Sequence, residues 1–128
     1  MQDLSNPDFR RSICNFLIDF KKVMDEGLRY SVLKREKNRQ ALIDLGITNK
    51  IRDEIIKTLS IEDYSSGPTK DIYHQGYYWV FGKDIDGKEV YIKLIIQTDS
   101  QGEDWATCYS FHPNEENPLK YPFRKSAK

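Results

Sequence analysis

The fold is decided by residues 77–97, which read YYWVFGKDIDGKEVYIKLIIQ. Two runs rich in aromatic and β-branched residues alternate here between apolar and polar positions, and a period of two is typical of strands. Asp86-Gly87 lies between the runs, and this dipeptide favours the tight turn of a β-hairpin. The stretch therefore predicts two antiparallel strands, at about 77–83 and 88–97.

A third strand is predicted at 105–112, WATCYSFH, after a polar connection, so the sheet is expected within about 77–112. Three prolines follow, and because proline disfavours helix, the tail 113–128 is expected to be extended. On the other side of the hairpin, residues 65–75 are interpreted as a loop, with Gly67-Pro68 among its breakers.

Upstream of the loop, apolar residues recur at steps of three and four, which predicts helices. The first helix is expected at about 8–26. Asn6 would cap it, Pro7 would occupy its first position, and Gly27 would end it.

Two further helices are expected after a short extended piece at 28–33. One ends at Leu45 before Gly46, and the other begins after Thr48, with one more turn at 60–63. Helices followed by antiparallel strands predict a single α+β domain over 1–128, with the N-terminal helices packed on one face of a small antiparallel sheet.

The composition is that of a soluble globular protein. Of 128 residues, 38% are apolar and 31% are charged, and no apolar run reaches the length of a membrane span. The first residues lack the basic and apolar segments of a signal peptide. We therefore expect a cytoplasmic protein with no membrane association.

Cys14 and Cys108 are expected to be reduced thiols in the core. Two cysteines and two histidines at wide spacing form no ligand motif, so no metal site and no cofactor are expected, and a metal hydrolase is disfavoured.

The charges balance, with 20 basic and 20 acidic residues, which argues mildly against a nucleic-acid ligand. Their distribution is uneven: residues 28–39 contain five basic side chains and one acidic, and the tail adds Lys120, Arg124, Lys125 and Lys128. Taken alone, these are best interpreted as two solvated basic stretches.

Strand alternation predicts which side chains share a face. In 88–97, the residues expected to point to the core are Val90, Ile92, Leu94 and Ile96. Those expected to point away from it are Glu89, Tyr91, Lys93, Ile95 and Gln97. In 105–112, the bulkier alternate set is Trp105, Thr107, Tyr109 and Phe111, and it is expected to face the core.

The core faces meet when Phe111 lies opposite Ile92 and Tyr109 lies opposite Leu94. That register puts His112 opposite Tyr91 and Ser110 opposite Lys93 on the other face, with directly paired Cβ atoms about 5 Å apart.

In the preceding hairpin, Phe81 would pair with Ile92 and Trp79 with Leu94. Gly82 would then lie beside Tyr91, where a glycine leaves room for the backbone of a ligand.

Such a cluster could cleave RNA without a metal, through attack of the 2′-hydroxyl on the adjacent phosphate. His112 could act as acid or base, Tyr91 could donate a proton, and Lys93 and Lys83 could stabilise the phosphate. Tyr78 could stack on a base of a single strand. The residues alone favour a plainer interpretation, in which these are ordinary side chains on the exposed face of a sheet.

Several segments resemble, in order and spacing, those of MqsR-family toxins, over about residues 21–124. They are LSIEDYSSGP at 59–68, WVFGK at 79–83, GKEVYIKL at 87–94, SFH at 110–112, YPFR at 121–124 and ALIDLGI at 41–47. The resemblance implies a RelE-like fold, cleavage of mRNA without metal, growth arrest, and neutralisation by an antitoxin encoded beside the toxin.

By position, the resemblance assigns catalytic roles to Tyr91 and to His112, which replaces a lysine of some members, and it matches Lys93 to the strand lysine. A lysine and a glutamine used by some members are replaced here near Ser66 and at Val80.

Lys83 and Arg124 are the candidate RNA phosphate-binding residues. The leading hypothesis is thus a metal-independent endoribonuclease (an mRNA interferase) that binds single-stranded mRNA and a cognate antitoxin, expected to be a helix-turn-helix DNA-binding protein. The alternative is a non-catalytic RNA- or protein-binding module on the same fold.

Overall fold

The computed structural model describes residues 5–124, which form three α-helices, one 3₁₀ turn and five strands. The helices are α1 (Pro7–Glu26), α2 (Glu36–Leu45) and α3 (Asn49–Lys57), and the 3₁₀ turn is Ile61–Asp63. The strands are β1 (Tyr30–Val32), β2 (Tyr64–Lys70), β3 (Tyr77–Ile85), β4 (Lys88–Thr98) and β5 (Asp104–Pro113). No helix among these residues is both long and apolar enough to span a membrane.

The strands form one sheet in the order β1-β5-β4-β3-β2. β1 is parallel to β5, and every other neighbouring pair is antiparallel. The predicted α+β class is therefore confirmed. The sheet is mostly and not wholly antiparallel, β1 falls within the extended piece expected at 28–33, and β2 was not predicted.

Helix α1 covers one face of the sheet. Its ends are those predicted: the side chain of Asn6 accepts a hydrogen bond from the amide of Asp8 at 2.8 Å, and Gly27 adopts a left-handed conformation with φ 78°. The apolar stripe of α1 is buried, and its Phe16 ring lies 5.1 Å from the ring of Trp79. The face beneath α1 is the core face of the sheet.

The β3–β4 hairpin has the predicted turn and register. Asp86 and Gly87 both have positive φ, at 52° and 81°, as a two-residue hairpin turn of this kind requires. Phe81 pairs with Ile92 and Trp79 pairs with Leu94.

The predicted register of β5 is correct at one end and wrong at the other. Phe111 pairs with Ile92, but Leu94 pairs with Cys108 and not with Tyr109, because the register shifts between Lys93 and Leu94. Tyr109 is the extra residue of a β-bulge, so the alternation reverses along β5.

As a result, Ala106 and Cys108 face the core, whereas Trp105, predicted to be a core residue, is 44% exposed. Cys108 is buried as expected, but Cys14 is exposed, and both thiols are free.

The loop predicted at 65–75 is wrong over most of its length, because residues up to Lys70 belong to β2. This strand lies at the edge of the sheet, where Pro68 removes no essential ladder hydrogen bond. Two register shifts within β2 accommodate the Gly-Pro pair. Only residues 71–76 connect β2 to β3.

The tail runs from the end of β5 across the sheet, and residues 125–128 of the predicted extended tail lie outside the described residues. Glu89 holds the tail through three donors: the side chain of Asn114, the amide of Leu119 and the hydroxyl of Tyr121, at 2.7–3.0 Å. Phe123 then packs near Phe9, on the side of α1.

The space beside Gly82, predicted to admit a ligand, is filled by this tail. A Cβ at Gly82 would lie 2.1 Å from the Tyr121 hydroxyl, so the glycine accommodates the protein's own chain.

Candidate active site on the open face of the sheet

The open face is the side of the sheet that faces away from α1. Strand alternation places polar residues of β3, β4 and β5 on this face, and the register brings a phenol, an ammonium and an imidazole next to one another. We call this group the open-face cluster and define it as Tyr78, Tyr91, Lys93, Tyr109 and His112.

Tyr91 and His112 are direct partners across β4 and β5, as predicted. Their rings are stacked, with centroids 5.6 Å apart and planes 19° from parallel, and both side chains are half-buried. The Nδ1 of His112 lies 3.0 Å from the carbonyl oxygen of Pro113. A carbonyl only accepts, so this contact places a proton on Nδ1 and leaves Nε2 to exchange protons with a ligand.

Burial raises the pKa of Tyr91, the nearby Tyr78 raises it further, and Arg35 opposes the shift. The Tyr91 phenol therefore stays protonated near neutral pH. It is suited to donate a hydrogen bond or a proton, and not to act as a base.

Lys93 lies at the centre of the cluster. Its Nζ is 3.9 Å from the ring centroid of Tyr78 and 5.7 Å from that of Tyr109. Burial lowers the pKa of Lys93, Asp71 opposes this and Arg35 adds to it. The ammonium is thus held by two aromatic faces and is partly stripped of water, which strengthens its interaction with an anion.

Arg35 belongs to this face, although the sequence did not single it out. It is the N-cap residue of α2, and its Nη1 lies 3.3 Å from the Ser110 hydroxyl, opposite Lys93. Its charge acts on both Tyr91 and Lys93. The basic run at 28–39 was the only signal, and nothing in strand alternation relates that run to β5.

Arg35 also lines a groove of about 840 Å³ along the edge strand β1 and helix α2. Lys34, Arg39 and Arg52 line the same groove. Within the groove Arg39 is paired with Glu36, so Arg35 is the cation that links the groove to the open-face cluster.

The loop between β2 and β3 adds a second histidine, His74, which is not among the predicted site residues. The Tyr109 hydroxyl donates to Oδ2 of Asp71 at 2.9 Å, and Nδ1 of His74 lies 3.5 Å from the same oxygen. The bulge in β5 is what turns Tyr109 onto this face, so the contact was not predictable from a regular strand.

Lys83 and Arg124, the predicted phosphate contacts, do not join the open-face cluster. Both bind the buried carboxylate of Asp63, with N–O distances of 3.2 and 3.3 Å. Lys83 pairs with Val90 and has the same parity as Phe81, which puts it on the core face. Strand parity could have shown this from the sequence, because Lys83 is two residues from Phe81.

Among residues 5–124, no three histidine, cysteine, aspartate or glutamate side chains are grouped so as to hold a metal ion. Comparison of the chain with models of protein families, with curated proteins and with solved structures found no match, so the chemistry of the open face has to be argued from its own geometry.

Proposed function

We propose that this protein is a metal-independent endoribonuclease, an mRNA interferase of the MqsR type on a RelE-like fold. The observation that carries the proposal is the stacked Tyr91–His112 pair beside Lys93 on the open face. Tyr91 and His112 can transfer protons and are paired across two strands, and the cation Lys93 is two residues from Tyr91 on β4. Cleavage by a 2′-hydroxyl requires such proton-transferring groups beside a cation.

The proposed reaction forms a bond between the 2′-oxygen and phosphorus and breaks the bond from phosphorus to the 5′-oxygen. Lys93 and Arg35 stabilise the charge that develops on the phosphate. The half-buried Tyr91 phenol supplies a proton, and the half-buried His112 supplies or removes one. The products are a 2′,3′-cyclic phosphate and a 5′-hydroxyl, and all atoms and charges balance without a cofactor.

A single-stranded substrate fits the aromatic lining of the site. The Tyr78 ring lies on the open face against Lys93, so a base that stacks on this ring brings its phosphate near the ammonium. We propose that the protein acts in the cytoplasm and that its single-stranded substrate is mRNA. We also propose that a neighbouring gene encodes an antitoxin that holds the activity in check.

A non-catalytic binding module on the same fold is the second candidate. It is favoured by the loop at 71–76, where Ile72 and Tyr73 are 81% and 83% exposed. Exposed apolar side chains of this size on a loop mark a contact surface for a base or a protein.

The deciding experiment is incubation of the purified protein with an RNA of mixed sequence in the presence of EDTA. His112→Ala and Tyr91→Phe are each expected to lower the rate by about 100-fold, the usual contribution of one acid or base. Tyr77→Phe is the matched control, since Tyr77 is an exposed tyrosine of β3 that lies outside the open-face cluster.

Cyclic phosphate ends from the wild type, with loss of rate in the two cluster variants alone, would support the proposal. If the folded wild type cleaves nothing, even with ribosomes added, the binding module becomes the better assignment. If the cluster variants retain full rate, the enzyme stands and the open-face cluster is not its site.

A further inference from the structure

The loop at 71–76 is firmly attached to the sheet. The amide of Asp71 donates to the carbonyl of Gly76 at 3.1 Å and closes the loop. The side chain of Gln97 on β4 donates to the carbonyl of Gln75 at 2.7 Å. The backbone of this loop is therefore held at a defined position beside the open face.

Asp71 is the centre of the loop. Its side chain is buried, and its Oδ1 accepts from the amides of Tyr73 and His74, at 2.9 and 3.2 Å. Its Oδ2 accepts from the Tyr109 hydroxyl at 2.9 Å. The Tyr73 amide and then the Tyr109 hydroxyl lower the pKa of Asp71 against the opposing effect of burial, so the carboxylate is charged at neutral pH.

The imidazole of His74 lies beside this carboxylate. Its Nδ1 lies 3.5 Å from Oδ2 of Asp71, and its ring is 6.3 Å from that of Tyr109, while its side chain is mostly exposed. A carboxylate beside Nδ1 favours the tautomer with the proton on that atom, which leaves a free lone pair on Nε2.

The position of His74 complements that of His112. Along β5, His112 and Tyr109 lie on opposite sides of Ser110, and Ser110 pairs with Lys93. Lys93 therefore lies between two groups that can transfer protons: the Tyr91–His112 pair on one side and Tyr109 with His74 on the other. Cleavage through a 2′-hydroxyl needs a base and an acid on the two sides of one phosphate.

We propose that His74 is the general base of the open-face site, and that Asp71 is the residue that positions it. This inference rests on the proposed ribonuclease function and extends it to a residue outside the strands. Nε2 of His74 takes the proton of the 2′-hydroxyl while the 2′-oxygen bonds to phosphorus. A protonated His112, or the Tyr91 phenol beside it, gives a proton to the departing 5′-oxygen.

Tyr109 does not compete with His74 for the role of base. Burial, together with the hydrogen bond to Asp71, raises the pKa of Tyr109 to about 12. Asp71 from its own loop and Tyr109 from β5 face His74, and Asp71 in turn acts on Lys93 of β4.

The test compares the wild type with His74→Ala and Asp71→Asn on an RNA oligonucleotide that the wild type cuts once, in EDTA, over a range of pH. His74→Ala is expected to lower kcat by about 100-fold and to remove the acid limb of the pH profile, because this limb reports deprotonation of the base. Free imidazole added to His74→Ala is expected to restore part of the rate.

Asp71→Asn keeps an oxygen that can accept from the loop amides but removes the negative charge beside the imidazole. A neutral neighbour stabilises the imidazolium less, so the acid limb is expected to move to lower pH. A merely structural role of Asp71 would change the amplitude of the profile and leave the limb in place. Gln75→Ala is the matched loop control, since its backbone carbonyl, which Gln97 binds, is retained.

An unchanged kcat and acid limb in His74→Ala would overturn the assignment of the base, and an acid limb that stays in place in Asp71→Asn would overturn the positioning role of Asp71. Either result would leave the ribonuclease intact. If the folded wild type cuts no RNA, the proposed function and this inference both fall.

Discussion

At the scale of the residue, Asn38 controls the shape of β5. It is only 6% exposed, and its side-chain amide donates to the carbonyls of Leu33 and Tyr109, both at 3.0 Å. Its side-chain oxygen accepts from the amide of Phe111 at 3.0 Å. The short strand β1 ends at Val32, so Asn38 satisfies the backbone of β5 where β1 no longer reaches it.

We therefore predict that Asn38→Ala lowers the free energy of unfolding by about 2 kcal/mol, because it leaves the buried amide of Phe111 without a partner and removes one donor from the Tyr109 carbonyl, which keeps only Arg35 at 3.5 Å. Urea unfolding followed by circular dichroism measures the change. Gln40→Ala is the control, since its side chain bonds only at the exposed surface of α2, to Asp44. A loss below about 1 kcal/mol would mean that water replaces the amide at the bulge.

The same residue explains the limit of the sequence interpretation. The pairs Tyr91–His112 and Lys93–Ser110 were predicted correctly, because the strands are regular between those positions. The pairing beyond them was wrong, because the bulge depends on a side chain of α2 that is some 70 residues away in sequence. Alternation within one strand carries no information about such a contact.

At the scale of the element, the tail is fastened to the sheet mainly through one carboxylate. Burial would raise the pKa of Glu89, but hydrogen bonds from Tyr121, Leu119 and Asn114 lower it below the ordinary value of 4.5. A carboxylate with a lowered folded pKa contributes its full stability above the unfolded pKa. That contribution is lost as the pH falls through the folded pKa.

We predict that acidification below pH 4.5, the ordinary value for Glu89, detaches the tail before the sheet unfolds. Protection of the Leu119 amide from hydrogen exchange, corrected for the intrinsic rate, is expected to fall in this range while that of Ile92 persists. In Glu89→Gln the protection of Leu119 should be low at every pH. Glu116→Gln is the control in the same segment, and equal pH dependence in both variants would refute the role of Glu89.

The elements themselves were predicted with unequal success for a physical reason. Helix α1 and the β3–β4 hairpin carry their own caps, turn residues and periodicity, so their bounds follow from local sequence. β1 and β2 are edge strands that obtain their hydrogen bonds from β5 and β3. A short or proline-containing segment becomes a strand only when an adjacent strand forms hydrogen bonds with it, and the local sequence does not reveal which strand will be adjacent.

At the scale of the whole molecule, the two faces of the sheet differ in the groups that contact their lysine and arginine side chains. On the core side, Lys83 and Arg124 are neutralised by Asp63. On the open face, Lys93 contacts aromatic rings and Arg35 contacts a hydroxyl and a backbone carbonyl, so both keep their charge for a ligand. A chain with a net charge of zero can therefore offer two cations, beside the carboxylate of Asp71, to the RNA of the proposed function.

Under the proposed function, this asymmetry predicts that RNA binding depends on salt although the net charge is zero. For single strands, the logarithm of the binding constant falls against the logarithm of the salt concentration with a slope of about −0.7 per neutralised phosphate. Arg35→Ala is expected to make the slope shallower by about 0.7, because one phosphate contact is lost. Fluorescence anisotropy with an RNA methylated at its 2′-oxygens, which cannot be cleaved by the proposed reaction, measures the slope.

Arg11→Ala provides the comparison that separates a local effect from one of total charge. Arg11 lies on the exposed side of α1 in an ion pair with Asp8, so its removal changes the net charge as Arg35→Ala does but leaves the open face intact. If the slope depends on where the charge lies, only Arg35→Ala alters it. If both variants alter it equally, RNA responds to the overall charge, and the open face is not where the strand binds.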